Sequence, residues 1–304
     1  MRSSDASLRR AQPLLGTFVE VSARGPAARL GPAVERAFGA IARIHALMSF
    51  QEPGSDVARL NRCAHVEPVG IDAHTYAVLA LAARLANASD GAFDITTAPA
   101  LVRFGFLPAG EAPPPPARPR GFEAIELLPR GRVRFAERTW IDLGGIAKGY
   151  AVDVACETLE AAGITDFLVN AGGDLRIGHS PEPVYVRHPH RPAVALPLGT
   201  FGEAAFATSG AYFAGRPGQP ENVHPIIAPA TGLPARYDGS VTVRASTCAE
   251  ADALTKVVAV KGARSAGVLR TFGAEGWHLS SAGGWTPLAP ASRRAAATGA
   301  SASA

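Results

Sequence analysis

Ile141-Asp142-Leu143-Gly144-Gly145-Ile146-Ala147-Lys148-Gly149-Tyr150 carries an apolar extended segment through a double glycine straight into a helix that the pattern extends to Ala162. Glycine lets the backbone approach a ligand closely, and a helix start offers N–H groups with no partner of their own. Lys148, in the first turn, adds a positive point charge. Together these features suit a phosphate. The spacing is neither the GxxxxGK[ST] of a nucleoside-triphosphate loop nor the GxGxxG of a dinucleotide-binding turn. An ordinary strand-to-helix turn with a solvent-facing lysine has the same composition, and the segment alone leaves both readings open.

Working outward, Thr139–Leu143 reads as a strand, and shorter strands are expected near Ile125 and Val133. Residues 107–121 contain Pro113, Pro114, Pro115 and Pro116 in a row and read as an exposed polyproline connector. Further upstream, Leu30, Val34, Phe38, Ile41, Ile44 and Leu47/Met48 recur every three or four places, which predicts a helix over 26–48. Helices are also expected over 56–61 and 72–88, the latter ending at Ser89-Asp90-Gly91. Gly16 to Ala23 alternates as a strand, with Phe18 and Glu20 on one face and Val19 and Val21 on the other. Downstream lie a strand at Phe167–Asn170, a run of short strands and turns, and a helix from about Ala249 to Val260. Helices and strands do not alternate as a doubly wound sheet requires. The expected class is therefore α+β, with largely antiparallel sheets and packed helices. Residues 1–12 and 290–304 read as flexible tails.

The bulk composition narrows the function. Of 304 residues, 47% are hydrophobic and 18% charged, below the roughly 25% charged content usual for soluble domains, which excludes a disordered chain. Thirty basic and 26 acidic residues are scattered, so the net charge of +4 lacks the clustered footprint of a nucleic-acid binder. Cys63, Cys156 and Cys248 form no CxxC, which excludes a disulfide scaffold and the usual zinc spacings. No stretch approaches the ~18 apolar residues of a membrane span, and the first residues lack a signal-peptide core of roughly 7–15 apolar residues. As written the chain reads as cytoplasmic, although a chain from which an export signal had been removed, a periplasmic one, would read the same.

A second glycine turn, Asn170-Ala171-Gly172-Gly173-Asp174, also follows a strand and brings another point of close backbone approach, unless it is a plain hairpin bend. Ala207-Thr208-Ser209-Gly210 and the segment His224-Pro225-Ile226-Ile227-Ala228-Pro229 to Gly232 add polar groups. In order along the chain, Leu15-Gly16-Thr17, Met48-Ser49-Phe50, Ser55 to Arg62, Gly91-Ala92-Phe93-Asp94, Asp142 to Asp153 and Asn170 to Asp174 resemble the flavin transferases often called ApbE. The same holds for Ala207 to Gly210, His224 to Gly232 and Ala251-Asp252-Ala253-Leu254. Asp142 to Gly149 is the most specific of these segments.

The resemblance implies a single unit over residues 1–304, similar to the T-fold, with FAD as substrate in a groove between two lobes. Members cleave FAD and attach FMN to a threonine or serine of an acceptor flavoprotein, releasing AMP. Residue by residue, it places Phe50 where the family commonly has a tyrosine against the flavin, and Ala92, Phe93 and Asp94 along the cofactor. Asp142, Lys148 and Ile227 match contacts to FAD. It also implies a magnesium ion held by the Gly145 carbonyl, by Asp252 and by a threonine four residues later, an oxygen-only set that suits a hard cation. His224 matches the base that takes the acceptor's proton. Phe50 as a core aromatic and His224 as a structural residue remain open on the residues themselves.

Three positions depart from the family pattern: Lys256 stands where the metal-binding threonine is expected, Ala228 where an aspartate is, and Ala211 where aspartate is frequent. An ammonium cannot ligate a cation. Thr255, on the neighbouring part of the same helical face, is a partial replacement to test. Two outcomes are open for Lys256: it occupies the metal position and holds the diphosphate itself, or it bends to solvent along its stem. The first leaves room for a noncatalytic FAD-binding paralogue that carries the cofactor, and hydrolysis of FAD by water needs the same site.

Overall fold

The computed structural model describes residues 5–109, 121–210 and 225–289. The chain opens with a hairpin of β1 (Asp5–Leu14) and β2 (Thr17–Pro26), paired residue for residue around Leu15-Gly16. Both turn residues have positive φ, 56° and 70°, as a two-residue hairpin loop of this hand requires. The expected flexible tail over residues 1–12 is thus corrected: 5–12 lie in a strand. Its ladder to β2 satisfies the backbone, Ala6 and Leu8 pack on the core, and Arg9 pairs with Glu20 at 2.7 Å. β1 is an edge strand, and Arg10, on the same face as Ala6 and Leu8 and paired with Glu35, interrupts the apolar alternation.

The apolar stripe predicted over 26–48 becomes α1 (Ala27–Met48), which buries Leu30, Val34, Phe38, Ile41, Ile44 and Met48. α2 (Asp56–Cys63) and α3 (Ala73–Ala88) begin on side-chain caps, Ser55 accepting from the Ala58 amide at 3.0 Å and Asp72 from that of His74 at 2.9 Å. Between them lies β3 (Val69–Gly70), and α4 (Ala98–Arg103) follows. β3 joins β4 (Ile125–Leu128) and β5 (Arg132–Phe135) in a small antiparallel sheet. Both strands expected near Ile125 and Val133 are present. Most of the proline-rich connector, 110–120, lies outside the described residues, as does the expected tail over 290–304.

From the central glycines run α5 (Ala147–Ala161), β6 (Asp166–Ala171) and β7 (Asp174–Ile177). A separate hairpin pairs β8 (Glu182–His188) with β9 (Arg191–Phe201), and β10 (Ala204–Gly210) returns to the main sheet. After the short pair β11 (Ile227–Ala228) and β12 (Leu233–Pro234) come β13 (Ser240–Ala245), α6 (Cys248–Lys261), α7 (Ala266–Thr271), β14 (Glu275–Leu279) and β15 (Trp285–Ala289). The main sheet has eight strands in the order β1-β2-β6-β7-β10-β13-β14-β15, and every neighbouring pair is antiparallel. Val19 and Val21 of β2, Val169 of β6 and Val243 of β13 point from it into one core shared with α1, α5 and α6. The α+β class read from the sequence holds.

Thr139–Leu143 is not the strand expected. It lies outside any sheet, because its backbone is bonded elsewhere. The Asn61 side chain donates to the Ile141 carbonyl at 3.0 Å and accepts from the Ile141 amide at 2.8 Å, and the Asp142 amide donates to the Ile95 carbonyl at 2.8 Å. One buried amide from α2 takes the place of a strand partner and fixes the entry to the double glycine.

Candidate active site

Gly144-Gly145, at the entry to α5, and Gly172-Gly173, at the β6–β7 turn, open onto one cleft of about 960 Å³. That lies at the upper end of the roughly 300–1,000 Å³ typical of ligand pockets. Gly172 has φ +66°, and a Cβ there would lie 2.6 Å from Thr17 Oγ1, so the β1–β2 and β6–β7 turns touch only because this residue is glycine. The Asn170 side chain accepts from the Gly173 amide at 2.9 Å and holds the bend.

Ala92, Phe93, Asp94, Asp142, Gly145, Lys148 and Ile227 all line this cleft. The three remaining assignments, Phe50, Asp252 and His224, stand differently. Phe50 is not on the cleft wall: its ring packs edge-on against Trp140, with centroids 6.2 Å apart, and against the core. That is the core-aromatic reading, and the stacking place against a flavin is not supported by this geometry. Asp252 is fully buried and reaches the cleft only through Lys256, which lies over it. His224 and Ala211 fall outside the described residues.

Two ammonium groups face the cleft above two buried carboxylates. Lys148, on the first turn of α5, pairs with Asp174 at the start of β7, and Lys256 pairs with Asp252 one helical turn earlier on α6. The other Asp252 oxygen accepts from the Gly149 amide at 3.2 Å, which ties α6 to α5. Burial opposes charge on Lys148, but Asp174 and Asp252 outweigh it and raise its pKa. Burial likewise opposes the Asp252 charge, yet Lys148 and Lys256 hold that carboxyl below its usual value. Asp174 goes the other way: burial and the neighbouring Asp252 charge push it up more than Lys148 brings it down. Asp174 was not singled out in the sequence, where it looks like the polar end of a turn.

Asp94 is a shaping residue. Its carboxylate accepts from the amide and hydroxyl of Thr96, both at 2.8 Å, and from the Phe122 amide at 3.1 Å, and burial raises its pKa against these bonds. For Asp142, burial pushes the carboxyl up to about 6 although the Gly144 and Leu143 amides favour its charge. A folded pKa above the unfolded value means that the native state holds the proton more tightly. The contribution of Asp142 to stability is therefore full below about pH 4, falls as pH rises to about 6, and is constant above that. Thermal midpoints across pH 4 to 8 should show Asp142→Asn gaining on the native protein over this window. Parallel curves would show that Asp142 titrates normally.

The side chains do not fit the magnesium ion that the resemblance implies. Both Asp252 oxygens are engaged, one by Lys256 and one by the Gly149 amide. The Lys256 stem also packs over Gly145, 3.5 Å from where a Cβ on that residue would sit. Thr255 does not replace the missing threonine. Its hydroxyl is fully buried, 2.7 Å from the Asp252 carbonyl and 2.7 Å from Ser209 Oγ. Among the described residues, no three His, Cys, Asp or Glu side chains come together as a metal site.

Backbone amides at two glycine bends, two cleft-facing ammonium groups and apolar walls define a site for an elongated ligand with an anionic centre, on an antiparallel α+β scaffold. The sequence profile of the ApbE family matches residues 15–272, and the chain belongs to that family. It is 31% identical over 300 residues to the FAD:protein FMN transferase of Treponema pallidum, covering 86% of this chain and 81% of that protein. Against the FAD:protein FMN transferase of Vibrio cholerae, identity is 29% over 234 residues, 71% of this chain and 69% of that one. Among solved structures, the ApbE protein of Thermotoga maritima superposes with a TM-score of 0.79 at 28% identity, over 93% of this chain and 97% of the other.

Proposed function

We propose that this protein is an FAD:protein FMN transferase, working as one unit, that moves FMN from FAD to a threonine or serine hydroxyl of an acceptor flavoprotein and releases AMP. The carrying observation is the convergence of Gly145, Gly173 and Lys148 on one cleft, in a chain whose relatives bear that name. In the reaction the acceptor oxygen forms a bond to the FMN-side phosphorus. The bond from that phosphorus to the bridging oxygen breaks, AMP keeps the bridging oxygen, and the hydroxyl proton passes to a base, the role assigned to His224. Such displacements depend on alignment and charge neutralisation more than on covalent help. Lys148 supplies charge beside the diphosphate, the Gly145 and Gly172 amides supply donors, and Ala92, Phe93 and Ile227 supply apolar walls that exclude water from the reacting centre.

A second reading, a noncatalytic FAD carrier, is favoured by one observation: Lys256 lies on the Asp252 carboxylate that the family uses for metal. Co-expression with the acceptor flavoprotein of the Vibrio cholerae relative distinguishes the two. Transferase action yields a fluorescent acceptor band that survives denaturation and disappears when the acceptor hydroxyl is replaced by alanine, with AMP formed in equal amount. FAD retained by the purified protein with no acceptor labelling supports the carrier. AMP without labelled acceptor identifies hydrolysis.

A further inference from the structure

We propose that the Lys256 ammonium takes the place of a divalent cation in this cleft, so that the anionic centre of the ligand is held without metal. This rests on the reading of the cleft as a site for the FAD diphosphate. Two independent contacts locate the side chain: its stem packs over Gly145, and its ammonium pairs with Asp252. These are the two residues that would otherwise share a cation. Asp252 is fully buried beneath it, whereas Lys256 borders the cleft with 18% of its side chain exposed. Lys256 has therefore not bent away to solvent.

The charge balance follows from this arrangement. Lys148 and Lys256 neutralise Asp174 and Asp252, whereas threonine at 256 with a divalent ion would leave one positive charge in excess. An ammonium carries three N–H donors, so one directed at Asp252 leaves two for phosphate oxygens. Lysine binds phosphate as a point charge, and here the buried aspartate beneath it fixes where that charge sits. The arrangement removes dependence on metal at the expense of one unit of positive charge.

Two measurements on the native protein, neither requiring turnover, test this. Titration with manganese alone, followed by electron paramagnetic resonance, should show no stoichiometric binding at millimolar ion, while Lys256→Thr gains a site. FAD affinity, followed by flavin fluorescence, should be the same in EDTA and in magnesium for the native protein. In Lys256→Thr it should fall roughly 10-fold or more in EDTA, the weight of a lost charge-assisted hydrogen bond, and recover with magnesium. Stoichiometric manganese binding by the native protein overturns the inference whatever FAD does. FAD affinity that collapses in EDTA also overturns it and leaves the flavin reading intact. No FAD binding under any condition removes the flavin reading and the inference with it.

Discussion

Lys148→Met should lose FAD binding and lower the thermal midpoint by about 6–12 °C. The loss of stability arises from Asp174, which is 2% exposed and has Lys148 as its ion-pair partner. Breaking a buried pair from one side costs about 3–5 kcal/mol. Lys148 itself is 34% exposed, so screening argues for the low end, about 3 kcal/mol, and at ~2–4 °C per kcal/mol this gives the quoted shift. The deficit should depend on pH. Burial already raises the Asp174 carboxyl, and without Lys148 it rises further, so the orphaned group escapes its penalty by taking a proton. The variant should therefore be closest to the native protein in acid and furthest from it above neutrality. Lys148→Met combined with Asp174→Asn separates folding from binding: the midpoint should return most of the way, while FAD binding should not return at all. A single variant that binds FAD as the native protein does would reduce Lys148 to a structural partner of Asp174.

The same lysine shows what the sequence can and cannot reveal. An extended run, two glycines and a basic residue in the first helical turn are a local pattern, and the structure places Asp142, Gly145 and Lys148 on the cleft. The long helices were legible for the same reason, since a stripe such as Leu30 to Ile44 needs nothing beyond its own spacing. Legibility ends where the partner is remote. Thr139–Leu143 has strand composition, but its hydrogen-bonding partner at Ile141 is the amide of Asn61, 80 residues away. Asp174 follows a glycine turn and gives no local sign that Lys148 will cover it. β1 gives a weak local signal because Arg10 falls on the face of Ala6 and Leu8, and its partner Glu35 lies 25 residues away on α1. For Lys256 the sequence disclosed the change of charge but not its direction, and the direction decides the chemistry. Phe50 shows the converse: the resemblance supplied a role for the position, and the geometry turns that ring toward Trp140.

Gly149→Ala should be among the most damaging single-methyl changes in the protein. A Cβ at this position would lie 2.3 Å from the Cys248 carbonyl oxygen, 2.6 Å from its carbon and 2.8 Å from the Ala249 nitrogen. All three atoms are backbone of the first turn of α6. That turn cannot yield, because Asp153, one helical turn beyond Gly149 on α5, accepts from the Cys248 and Ala249 amides, each at 2.9 Å, and Thr247 caps the helix at 3.2 Å. The helices must separate instead. Separation stretches both Asp153 bonds and the bond from the Gly149 amide to Asp252. Alanine gains about 1 kcal/mol of helix propensity over glycine, but overpacking costs roughly 1–3 kcal/mol and each weakened bond to a carboxylate up to about 1.5–3. The net expectation is a loss of more than about 3 kcal/mol, a fall of the thermal midpoint by about 10 °C or aggregation on expression. Gly144→Ala is the matched control. Its Cβ would lie 2.9 Å from Asp142 Oδ2, the end of a side chain that can rotate, and the backbone there needs no positive φ. That variant should fold within about 1 kcal/mol of the native protein. Chemical denaturation of both variants decides the matter, and equal stability would mean that α5 and α6 slide past one another more freely than two carboxylate anchors allow.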